Sequence, residues 1–148
     1  MIKLLLKMRK VFFFQRISAV MLRIRFVDIP HAVKVGSGLI LPHNGIGVVV
    51  HPTTVIGNNV RIYQNVTIGR ADIWNDVPSE NFIGAEIHDN AILCAGAKII
   101  VKSKITVGTG TVIGANSVLT KSTGQYEIWA GVPAKKIGNL NERNIVSK

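Results

Sequence analysis

The sequence predicts an all-β solenoid, a coil of short parallel strands, and three observations carry that prediction. An aliphatic residue falls on every sixth position in four separated runs: Ile29, Val35 and Leu41; Val50, Ile56, Ile62 and Ile68; Ile87, Leu93 and Ile99; Val107, Ile113 and Leu119. A six-residue period drifts off any face of a helix and does not match the alternation of a single strand, so it fits a winding whose flat sides are short strands. Glycine often follows the aliphatic (Gly36, Gly57, Gly108, Gly114), and the fourth position is small or branched (Val33, Thr54, Val60, Val66, Ala91, Ala97, Thr111, Ser117). Each hexad thus makes one side and one corner, and three sides close a triangular coil of roughly eighteen residues. Composition agrees: 47% of the 148 residues are hydrophobic but only 6% aromatic, as a narrow prism filled by Val, Ile and Ala requires. The length suits one domain with a substantial core.

The chain divides into residues 1–26, a coil over 27–134 carrying a loop at 69–86, and a tail at 135–148. Net charge is +10, and Lys3, Lys7, Arg9, Lys10, Arg16, Arg23 and Arg25 all precede the first acidic residue, Asp28. Leu4, Leu5, Leu6, Phe12, Phe13, Phe14 and Val20 to Leu22 interleave these charges, which predicts one or two basic amphipathic helices. The cations at Lys7, Arg9 and Lys10 break the apolar run, and no small-residue cleavage site follows, which argues against a spanning helix and a secretory signal. Two roles suit the segment: a cap on the open end of the solenoid, and a monotopic contact with an anionic membrane. Nucleic acid is not expected, because the basic residues come with an apolar face and without base-stacking signatures. Cys94 stands alone, so it forms no internal disulfide; a buried inert thiol in a reducing cytoplasm is the expectation.

Three breaks interrupt the winding, and breaks are where a solenoid projects side chains out of its wall. Between Leu41 and Val50 the extra residues fall in Pro42-His43-Asn44-Gly45-Ile46-Gly47, whose glycines permit a tight excursion presenting His43. The second runs from Gly69 to Glu86 and holds Arg70, Asp72, Trp74, Asn75, Asp76, Pro78 and Glu80. The third, Val101-Lys102-Ser103-Lys104, reads as a solvated charged bulge, with a phosphate contact as the alternative. His31, His51 and His88 are assigned to the surface, His51 also as a possible lining residue of an active site.

The hexads resemble those of the hexapeptide-repeat, left-handed parallel β-helix acyltransferases, from about Asp28 to Ile137. The left hand comes from that resemblance alone, since ordinary parallel crossovers are right-handed. The nearest branches are the serine acetyltransferases and related polysaccharide O-acetyltransferases. Their Asp-Ile-His-Pro opening is followed fifteen residues later by a catalytic histidine, and Asp28 and His43 match both positions at that separation. The pairing suits the chemistry: an alcohol attacking a thioester needs a base to take its proton, and a carboxylate on the other ring nitrogen fixes the tautomer. On an eighteen-residue coil, positions fifteen apart lie almost one turn apart, so Asp28 is expected beneath His43.

The resemblance also implies an acetyl-CoA groove. Ala95-Gly96-Ala97-Lys98-Ile99, Ile113-Gly114-Ala115-Asn116-Ser117 with Thr120-Lys121, and Ala130-Gly131-Val132-Pro133-Ala134-Lys135 resemble the family's groove motifs. By position, Ala95 and Ala115 would bond the pantetheine arm, and Thr120, Lys121 and Lys135 would lie near adenine and phosphates, where lysines serve as point charges. A homotrimer with the groove between prisms is implied, and no metal. Three departures from the serine branch stand out: Pro42 replaces the Asp that precedes the catalytic histidine, Gly84 stands near the family's second histidine, and 148 residues leave no room for that branch's long helical N-terminal domain. The expected activity is therefore acetyl transfer to a sugar hydroxyl in surface-polysaccharide biosynthesis. Serine O-acetylation is the alternative, and a non-catalytic trimeric scaffold or binder is the alternative of another class.

Overall fold

The computed structural model describes residues 1–9, 11–74 and 84–140. It is a left-handed parallel β-helix whose three faces are parallel sheets. One face stacks β1 (Lys34–Val35), β3 (Val55–Ile56), β6 (Ala85–Ile87) and β9 (Ile105–Val107). The second stacks β2 (Val49–Val50), β5 (Thr67–Arg70), β8 (Lys98–Val101) and β11 (Val118–Leu119). The third stacks β4 (Arg61–Ile62), β7 (Ile92–Leu93), β10 (Val112–Ile113) and β12 (Glu127–Gly131), with β13 (Ala134–Asn139) antiparallel on β12.

Register makes the six-residue repeat a column. Val50, Ile68, Ile99 and Leu119 lie over one another on one face, and Ile62, Leu93 and Ile113 lead up to Trp129 on another. Every hexad aliphatic is buried except Val35, which is half-buried beside the N-terminal helices. Burial of each such side chain stabilises the fold by about 1.5–3 kcal/mol. The small fourth positions are buried as well, from Val33 to Ser117. Thr111 and Ser117 satisfy their hydroxyls on the backbone, Thr111 donating to Gly124 O at 2.7 Å and Ser117 accepting from Gly131 N at 3.0 Å.

One edge of the prism turns through left-handed residues that alternate in type: Gly47, Asn65, Gly96 and Asn116 all have positive φ. A Cβ on Gly47 would strike the Asn65 side-chain oxygen, and one on Gly96 the Asn116 side-chain oxygen. Glycine is therefore needed there both for its φ and for the space the stacked asparagine fills.

Residues 1–26 form α1 (Ile2–Met8) and α2 (Gln15–Arg23), joined by a short 3-10 turn. Ile2, Leu5 and Leu22 belong to the same core as Ile29 and Val33, so the segment closes the first winding. Arg9 completes the closure. Only 7% exposed, its guanidinium donates to Ile29 O and Pro30 O at 2.7 Å and to Val33 O at 3.1 Å, carbonyls of the end coil. A guanidinium buried this way is tolerated because its fork is bonded to acceptors, although desolvation lowers its pKa.

The opposite end closes differently from the expected tail. Residues 135–139 are strand rather than tail, because Glu127 and Trp129 anchor a hairpin: the Glu127 carboxylate accepts from Gly124 N, Trp129 Nε1 and Lys136 Nζ. The remainder, 141–148, lies outside the described residues.

Candidate functional site

The first break is a turn of unusual backbone. His43 (φ 53°), Asn44 (φ 60°) and Gly45 (φ 64°) lie in the left-handed region in succession. Such a conformation costs of order 1–2 kcal/mol per non-glycine residue and persists only where neighbours impose it. Here Gly47 N donates to Phe26 O, Val48 N to Gly45 O and Asn65 N to Ile46 O, which pins both the winding below and the winding above. The result is that the His43 side chain projects from the wall, exposed, with its ring centroid 6.5 Å from that of Tyr63.

Asp28 sits one winding below, but not where the spacing predicts. Its backbone bridges to Val49, its N–H donating to Val48 O and its carbonyl accepting from Val50 N. Its carboxylate accepts from Arg23 Nε at 2.7 Å, and no hydrogen bond or ion pair joins it to His43. The expectation of a ready-made pair is corrected in that respect. The excursion after Leu41 lengthens the coil, so register sets Asp28 under Val49, and Arg23 at the end of α2 takes the carboxylate. Both partners are largely exposed, 59% and 40% by side chain.

The groove residues follow one edge of the prism. Asn65 N bonds Ile46 O, Gly96 N bonds Gln64 O and Asn116 N bonds Ala95 O. This aligns the His43 turn, Gln64, Ala95 and, on the last winding, Ala115. Thr120 and Lys121 follow β11 and are exposed, and Lys135 is exposed on β13 in register with Ala130. Lys121 Nζ lies 5.3 Å from the Trp129 ring centroid, a cation–π contact. Tyr63 and Gln64, absent from the candidates read in the sequence, belong to this edge; Gln64 Oε1 is buried without a partner. Their only signal in the sequence is their place at the corner before an inward Val66.

The remaining candidates lie apart. His51, at the far end of β2 from His43, meets Thr53 Oγ1 at 3.0 Å; burial, and then the charge of Arg70, lowers its pKa. Arg70 pairs with Asp72 at 3.0 Å at the foot of the long loop. Ile73 and Trp74 are exposed there, while Asn75, Asp76, Pro78 and Glu80 lie outside the described residues. Burial raises the Cys94 thiol pKa, which suits an inert packing role. His31 and His88 are exposed. The third break is the solvated bulge, with Lys104 paired to Glu86 at 2.7 Å. Among the described residues no group of three or more His, Cys, Asp or Glu could hold a metal ion.

No family model matches the chain. Curated relatives do. The chain is similar to serine acetyltransferase from Escherichia coli (strain K12), 39% identical over 112 residues that make up 76% of this chain and 38% of that protein. It is also similar to serine acetyltransferase 4 from Arabidopsis thaliana, 35% identical over 118 residues, 80% of this chain and 31% of that one. Among solved structures, serine acetyltransferase from Vibrio cholerae O1 biovar El Tor N16961 superposes with a TM-score of 0.72 at 32% identity, over 88% of this chain and 46% of that one. Serine acetyltransferase in complex with coenzyme A from Brucella abortus strain S19 gives 0.70 at 33%, over 88% and 48%. The chain spans less than half the length of these relatives.

Proposed function

The chain belongs to the hexapeptide-repeat acyltransferase family, and we propose that it transfers an acetyl group from acetyl-CoA to a hydroxyl with His43 as general base. The observation that carries this reading is the strained turn: three successive left-handed residues hold an exposed imidazole at the head of an edge that continues through Gln64, Ala95 and Ala115. His43 takes the acceptor's hydroxyl proton as its oxygen adds to the thioester carbonyl. The C–S bond then breaks, and the proton returns to the departing thiol. Asp28 orients the ring and stabilises the imidazolium once it leaves Arg23, an exchange of small cost because an exposed pair is worth about 0.2–1 kcal/mol. Ala95 and Ala115 border the pantetheine arm, and Thr120, Lys121 and Lys135 meet the phosphates and adenine.

A homotrimer fits this arrangement. Ile46 (53% exposed) and Val49 are apolar side chains on the wall beside His43, as a face covered by a second prism would have. Two concavities among the described residues, about 610 Å³ between Arg9, His31 and Lys34 and about 570 Å³ beside Lys3 and Lys7, lie away from His43. A neighbouring prism packed on Ile46 and Val49 would complete a cleft with His43 at its mouth. We take the compartment to be the reducing cytoplasm.

For the acceptor, the relatives named above favour L-serine over the sugar hydroxyl put first from sequence. A second reading keeps the sugar, on one steric observation. Gly84 is buried, and a Cβ there would strike the Thr53 hydroxyl and come within 2.9 Å of Thr53 O, so no side chain fits where the family's second histidine falls. With Pro42 in place of a carboxylate, this chain lacks two of the groups by which the serine branch differs. A lipid-linked sugar would also bring the enzyme to a membrane surface through residues 1–26. Thiol release from acetyl-CoA, measured against L-serine and a panel of sugars, decides: turnover with one class assigns the acceptor, and none with either despite CoA binding overturns the transfer reading.

A further inference from the structure

The amphipathic pattern of α2 is oriented the wrong way for a helix that only caps. Its inner face is Ser18, Ala19 and Leu22, all buried. Its outer face presents Ile17, Val20, Met21 and, at the C-cap, Ile24, the spacing of one helical stripe. These are exposed, Ile24 by 73%, and Phe13 (83%) and Phe14 continue the stripe through the preceding turn. The core beneath is already closed by Leu22 and Arg9, and the stripe stays exposed among the described residues.

We propose that this face of α2, with Phe13 and Phe14, docks onto an anionic lipid surface and lies in its plane. Charge complementarity selects that occupant. Arg16 lies on one border of the stripe, with Arg23, which is paired to Asp28, seven residues further along it; exposed Lys3 and Lys7 add to the same segment, and no acidic residue precedes Asp28. A second copy packed on the stripe across a two-fold axis would set these cations against their equivalents, whereas lipid phosphates neutralise them while acyl chains take the apolar side chains. No helix among the described residues is long and apolar enough to cross a membrane, so the contact is interfacial. Docking uses only the outer face, so the cap stays in place.

The full chain is sedimented with vesicles of phosphatidylcholine alone and of phosphatidylcholine mixed with phosphatidylglycerol. The proposal expects binding to the mixed vesicles only, weakened by raised salt. Arg16→Gln is expected to lower affinity about fivefold, the equivalent of about 1 kcal/mol for one cation at the surface. The pair Ile17→Ser and Ile24→Ser should abolish binding, with far-UV circular dichroism and thermal midpoint unchanged because both side chains point outward. Equal binding to both vesicles, or none to either, overturns the proposal. So does self-association that the Ile17/Ile24 variant removes, which would assign the stripe to a second copy. Thiol release plays no part in this readout, so failure here leaves the transfer reading untouched.

Discussion

Two corners of the same prism, the one at Asn65, Gly96 and Asn116 and the one at His43, are built from the same backbone conformation and serve different ends. At the regular corner each winding spends one left-handed residue, and alternation of Gly with Asn lets each side chain rest over a neighbour that has none. At His43 three left-handed residues follow one another, and the central side chains leave the wall. Repetition makes the first corner stable because each turn supports the next. Its interruption makes the second chemically available, at a conformational cost that the windings on either side offset.

The difference predicts that substitutions at the two corners fail in opposite ways. His43→Ala should lower kcat by about a hundredfold to ten-thousandfold while leaving the thermal midpoint nearly unchanged, since the left-handed strain of a histidine is exchanged for that of an alanine. At the regular corner, Gly96→Ala should destabilise by about 1–3 kcal/mol in denaturant titration, because the new methyl meets the Asn116 oxygen, with turnover of the folded fraction less affected. Glu127, which ties the last corner at Gly124 to Lys136 and Trp129, gives a pH-dependent version of the same contrast. The Lys136 and then the Trp129 hydrogen bonds hold its pKa below the ordinary 4.5. Its contribution is therefore present above that value and lost as pH falls through the lower folded one. Glu127→Gln should cost about 1 kcal/mol at neutral pH after allowance for solvent screening, and the gap to the parent chain should close on acidification below 4.5. The smallest effect is at Arg23→Ala. Releasing Asp28 should raise kcat by about twofold to fivefold, the worth of an exposed ion pair.

The wall was legible because a solenoid is read by position alone: one inward column, one small column, and burial at nearly every member, from Ile29 to Leu119. Val35 is the informative exception, half-buried because it lies at the end where helices rather than another coil cover it. The break at His43 was legible as extra residues with glycines, and Asn44, like Asn65 and Asn116, is a residue type that tolerates the left-handed region, but three such residues in succession have no signal in the hexad pattern. The carboxylate partner was not legible: an eighteen-residue winding would set Asp28 beneath His43, but Arg23, five residues away at the end of α2, holds its carboxylate. Strand β13 escaped for a related reason. An antiparallel hairpin carries no hexad, and Glu127 and Trp129 fix it through side chains rather than period. Tyr63 and Gln64 were hidden in a corner whose importance comes from what stacks above and below it.

A double-mutant cycle on Asp28→Asn and His43→Ala, read by thiol release from acetyl-CoA with the acceptor identified by the panel, tests whether the two side chains act as one unit. If Asp28 orients His43, each single change lowers kcat and the double variant falls no further than His43→Ala alone. Losses that multiply, or full activity in Asp28→Asn, would mean that Asp28 serves Arg23 and the wall only, and that the imidazole works without it.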